Sequence, residues 1–127
     1  MGSFNTTLLP SAVRTTTQTS PDIVSAGGGQ DIVGIHVILD ATVNAGSAGS
    51  ITVTINGKDP ASGKYYLLLS GAAVTTVTTN VYRIYPGMTA SANATANDAL
   101  PPIFQIVVTA NNSNPVTYSV GYNLLFT

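Results

Sequence analysis

From Asp31 onward apolar and polar residues alternate with period two, the spacing of a strand that buries one face. Val33, Ile35, Val37, Leu39 and Val43 share one face of the first such segment, and Gly34, His36, Asp40 and Thr42 lie mainly on the other. After a turn of small residues, Asn44 to Gly49, a second strand sets Ile51, Val53 and Ile55 against Thr52, Thr54 and Asn56. The stretch Asn56 to Lys64 holds Asn-Gly, Asp-Pro and Ser-Gly, each a turn former, and predicts a hairpin loop. The continuous apolar run Tyr65 to Leu69 is short and bounded by turn residues, which predicts a buried strand rather than a helix. Val81 to Tyr85 predicts a fourth strand, closed by Pro86-Gly87, and Ile103 to Thr109 a fifth. The last strand places Val116, Tyr118, Val120, Tyr122, Leu124 and Phe126 on one face. Met88 to Asp98 fits either a loop or one irregular helical turn.

Strands punctuated by turns, with no strong helix between them, predict an all-β fold: a single antiparallel β-sandwich or small barrel of about six to eight strands. That domain spans residues 31–127. Residues 1–30 read as an extended N-terminal arm, interrupted by Pro10, Pro21 and the run Gly27-Gly28-Gly29, which reads as a flexible joint. The apolar residues of the arm are too sparse for a core and too many for a purely solvated tail. Two readings follow: a disordered terminus, or a strap that lies across a neighbour with Phe4, Leu8, Leu9, Val13 and Arg14 as its candidate interface.

Composition sharpens the picture. A chain of 127 residues is expected to build one core. Only 7% of its residues are charged, against about 25% in an ordinary soluble domain. Its surface must therefore be built from Thr, Ser, Asn, Gly and Ala, which oppose self-association weakly, so much of it is expected to be covered in an assembly. The alternative is a plain neutral monomer kept soluble by polar side chains. Glu is absent, and Thr, Val and Ile are abundant, as strands and turns require.

The same counts argue against several kinds of chemistry. Arg14, Lys58, Lys64 and Arg83 are scattered singly, so no basic stripe exists for nucleic acid. No run of about 18 apolar residues predicts a membrane span. The N-terminus lacks the basic start and apolar block of a secretory signal, so export by that route is not expected. Without cysteine there is no disulfide, thiolate zinc site or Cys nucleophile. The one histidine, His36, has no nucleophile or carboxylate placed beside it by sequence, and reads as a satisfied or outward-pointing strand residue.

Asp22, Asp31, Asp40, Asp59 and Asp98 are spread one by one, which gives neither a carboxylate pair nor a calcium loop. The glycine run precedes a strand where a phosphate loop would open a helix. Three N-x-[ST] sequons, at Asn5, Asn93 and Asn111, are chance matches in a chain this rich in Asn and Thr. No catalytic residue, metal ligand or cofactor is expected. The six tyrosines are the one chemistry left for a surface, able to stack on sugars or anchor an interface, with about half expected in the core with a wet hydroxyl.

The stretch Ser50 to Leu69, continued by Val81 to Gly87 and by Tyr118 to Gly121, resembles a family of small proteins from the structural genes of tailed bacteriophages, the capsid decoration or cement proteins. The likeness covers roughly residues 31–127 and leaves the arm out. It implies a non-enzymatic virion component, made in the host cytoplasm, that sits on the outer capsid surface and ties neighbouring capsomers together. Its implied partner is the major capsid protein. Equivalent sites on a symmetric shell imply a homo-oligomer, a dimer on a two-fold or a trimer on a three-fold position. The competing readings are a tail or fibre subunit, and a host-attachment or carbohydrate-binding module.

Overall fold

In a computed structural model, which describes residues 2–25 and 31–126, the chain folds as a β-sandwich of two sheets. The described residues form ten strands: β1 (Gly2–Arg14), β2 (Gln18–Thr19), β3 (Ile23–Val24), β4 (Ile32–Val43), β5 (Ile51–Lys58), β6 (Tyr65–Ser70), β7 (Thr78–Ile84), β8 (Thr95–Ala96), β9 (Ile103–Ala110) and β10 (Val116–Phe126). The first sheet runs in the order β1-β10-β4-β7-β8 and the second in the order β2-β9-β5-β6, with β3 also on β9. Every pairing is antiparallel except β7 with β8.

The core lies where the inner faces meet. Ile35, Val37 and Leu39 of β4 and Val116, Tyr118 and Val120 of β10 close on Ile51, Val53 and Ile55 of β5 and Phe104, Ile106 and Val108 of β9. The rings of Phe104 and Tyr122 meet edge to face with centroids 6.3 Å apart, which pins β9 against β10. In β4, β5 and β10 one face is buried, so the period-two pattern and the observed burial agree.

Several expectations from sequence are corrected. The first concerns the irregular arm, because residues 2–14 form a strand on the outer edge of the first sheet and Gln18–Thr19 and Ile23–Val24 pair with β9 of the second. Pro10 hides that strand from a sequence reading. It sits inside the second of two register shifts, Thr7 to Leu9 and Leu9 to Ala12, where the missing N–H breaks no ladder bond. The glycine joint expected at residues 27–29 lies outside the described residues. The strand count also exceeds the expected six to eight, since β2, β3 and β8 are two residues each and too short to leave a pattern.

The second correction is Val43, expected inward but 54% exposed. Against β10, Thr117 faces Val43 and Tyr118 faces Ala41, so Thr42 is an extra residue that turns the end of β4 over. The third is the run Tyr65 to Leu69, expected to be buried. β6 is the edge of the second sheet, and Tyr65, Tyr66 and Leu67 are 44, 46 and 61% exposed while Leu69 alone reaches full burial in the core. Asn56 and Gly57, read as part of the hairpin loop, continue β5 instead, leaving Asp59 to Lys64 as the loop. Gly57 leaves room there for the Tyr66 ring and Pro101, since a Cβ would come within 2.5 Å of the one and 2.9 Å of the other. The undecided segment Met88 to Asp98 contains turns and β8.

Candidate interaction surface

The two edge strands longer than two residues, β1 and β6, carry five of the eight large apolar side chains exposed among the described residues. Along β1, Phe4 is 47% and Val13 65% exposed, while Leu8 and Leu9 turn inward and pack against the core. Phe4 stacks on Phe126 of β10 with centroids 4.9 Å apart. Arg14 closes the other end. Its guanidinium lies 4.7 Å from the centre of the Tyr118 ring and donates hydrogen bonds to the carbonyls of Pro10 and Tyr118, both at 2.5 Å. Of the five residues expected to form an interface, then, Phe4 and Val13 face solvent, Leu8 and Leu9 hold the strand down, and Arg14 ties its end.

At β6 the topology builds a cluster that no local pattern announces. Lys58 Nζ of β5 meets Asp22 Oδ2, just before β3, at 2.6 Å, and Tyr65 Oη donates to the other carboxylate oxygen. The Lys58 ammonium also sits 5.6 Å from the centre of the Tyr65 ring. The hydrogen bonds from Lys58 and then from Tyr65 hold the Asp22 carboxyl below its ordinary value. The same carboxylate pushes the Lys58 ammonium and the Tyr65 phenol up. Being exposed, the cluster adds little stability, but it fixes one aromatic ring at the head of an edge strand. Beside it Asn56 Nδ2 donates to Gln105 Oε1 at 3.3 Å, and Gln105 is buried.

The outer face of the first sheet carries the histidine. In register, Asn5, Asn123, His36, Arg83 and Thr95 form one polar row across all five strands. Burial, and then the Arg83 charge, push the His36 imidazole below its ordinary value. Further along β4, Asp40 accepts from Thr79 Oγ1 at 3.0 Å. Among the described residues no three His, Cys, Asp or Glu side chains converge to hold a metal ion, and no helix is long and apolar enough to cross a membrane.

A cleft of about 360 Å³ opens beside β7, lined by uncharged groups that include Thr75, Thr78, Asn80, Tyr82 and Asn93. Three tyrosines are in the core, Tyr82, Tyr118 and Tyr122, but two of them lack the wet hydroxyl expected from sequence. Tyr82 Oη and Tyr118 Oη are enclosed with no hydrogen-bond partner among the described residues. Burial pushes both phenols up.

No protein-family model matches the chain. No curated protein matches it either. Among solved structures it is similar to a chain from the infectious bursal disease virus Gx strain, with 14% identity and a TM-score of 0.45 over 97% of this chain and 30% of that one. A chain from the Gt strain of the same virus is similar at 10% identity and a TM-score of 0.35, over 99% of this chain and 42% of that one. The chain thus spans less than half the length of either viral chain.

Proposed function

We propose that this protein is a non-enzymatic structural component of a virus particle, and that it acts as a cement protein on the outer surface of a tailed-phage capsid. The observation that carries the reading is a chain with only 7% charged residues whose two longer edge strands expose Phe4, Val13, Tyr65, Tyr66 and Leu67. A neutral surface lowers the desolvation cost of a broad contact, and a sheet edge offers unpaired backbone groups to a neighbour's strand. The resemblance of residues 31–127 to decoration proteins points to the major capsid protein as that neighbour. A protein that binds only the expanded shell stabilises it by mass action and needs no chemistry.

Co-sedimentation with expanded, undecorated capsids tests the reading. Saturable binding at a fixed ratio to the major capsid protein supports it, and binding to tail tubes alone moves the assignment to the tail. The uncharged polar cleft beside β7 favours a second reading, a carbohydrate-binding or host-attachment module. Binding to host envelopes, competed by free sugar, is the result that reading requires.

A further inference from the structure

We infer that β1 is a self-association edge, along which two copies of this chain pair antiparallel about a two-fold axis at Asn5 to join their two five-stranded sheets into one. The inference stands on the edge itself and does not depend on capsid binding. Among the described residues β1 bonds to β10 alone, which leaves the other side of its backbone open to pair. Edge strands are ordinarily guarded by charge, by proline or by a bulge. In β6 the guard is present, as Lys58, Asp22 and Lys64 stand at its head. In β1 no charged residue occurs from Gly2 to Val13, and Pro10 and both register shifts fall beyond Thr7. Gly2 to Thr7 is therefore a regular, uncharged and unguarded edge.

The chemistry of that segment selects a second copy as the occupant. It offers no charge for an oppositely charged partner to read, and an antiparallel pair about a two-fold is self-complementary by construction. With the axis at Asn5, residue 3 opposes residue 7 of the partner, Phe4 opposes Thr6, and Asn5 opposes its own mate. The half-exposed Phe4, already stacked on Phe126, is then covered on its open side. On the outer face, the row Arg83, His36, Asn123, Asn5 continues across the axis into the same row of the mate, with the two Asn5 amides able to donate and accept.

Sedimentation of the full chain in free solution, from micromolar to millimolar concentration, is the test, together with single cysteines placed in this cysteine-free sequence. A monomer–dimer equilibrium is expected. The double variant Asn5→Lys/Thr7→Lys, which sets like charges against each other across the axis, should weaken it by roughly tenfold or more while the near-ultraviolet circular dichroism stays that of the wild type. Asn5→Cys should give a covalent dimer under mild oxidation or with a short bismaleimide, and Leu67→Cys on β6 should not. A chain that stays monomeric at millimolar concentration overturns the inference. A dimer that survives both lysines, or that cross-links in the Leu67→Cys variant and not in the Asn5→Cys variant, overturns it as well.

Discussion

The two long edge strands are held in place by different means. β1 is exposed along most of its length and is kept by its ladder to β10, by the Phe4–Phe126 stack at one end and by Arg14 on Tyr118 at the other. β6 is shorter and is kept by its ladder to β5, by one fully buried residue, Leu69, and by the Asp22, Lys58 and Tyr65 cluster. The apolar-looking strand thus has a charge pair at its head, and the polar-looking strand has no charged residue before Arg14. Edges of one sandwich can therefore differ in what they invite: β6 presents one fixed aromatic ring, Tyr65, beside a charge pair, whereas the first half of β1 presents uncharged backbone.

The largest expected effect contrasts β6 with itself. Leu69→Ala should lower the unfolding free energy by about 2–5 kcal/mol, because it empties a core site, whereas Leu67→Ala, 61% exposed, should stay within about 0.5 kcal/mol. Urea unfolding of the two variants checks this, and equal losses would mean that β6 is buried as a whole.

Smaller, and on the other edge, Phe4→Ala should cost about 0.5–1.5 kcal/mol for the lost stack. The same urea series measures it. A loss near that of Leu69→Ala would make β1 part of the core rather than an edge held at its ends.

The smallest effects are in pH dependence. The folded Asp22 carboxyl sits below its ordinary value of 3.8, so it contributes stability above pH 3.8 that is lost as pH falls through the folded value. Asp22→Asn should flatten that limb of the curve. His36 is likewise depressed from 6.5, by burial and then by Arg83, so stability is full above pH 6.5 and falls as acid protonates the unfolded chain more readily than the folded one. His36→Gln should remove that fall, and thermal melts between pH 7 and pH 3 read both limbs.

How much of this is legible in the sequence follows from where each strand lies. Ile35, Val37 and Leu39, or Val116 through Leu124, alternate because water is on one side and the core on the other, and those strands and their faces can be read directly. An edge strand loses that constraint. β1 tolerates Thr and Asn on both faces and a proline at a register shift, so its residues read as an arm. β6 exposes Tyr65, Tyr66 and Leu67, so its apolar run reads as a buried strand although it is an edge. The extra residue at Thr42 reverses Val43 with no local signal. The candidate interface of Phe4, Leu8, Leu9, Val13 and Arg14 lies on one strand, although Leu8, Leu9 and Arg14 are occupied in holding it. The Asp22 cluster is illegible for a different reason: its partners lie 36 and 43 positions away and only the topology of the second sheet brings them together.

The central claim is that this protein works through its sheet edges rather than through a pocket. Backbone amide exchange, measured on the free protein diluted to where it is monomeric and again on the protein bound to expanded capsids, tests that most directly. The account predicts new protection concentrated in residues 2–9 and 65–70. Protection confined to residues 72–82 and 93–94, around the cleft beside β7, with both edges unchanged, would contradict it.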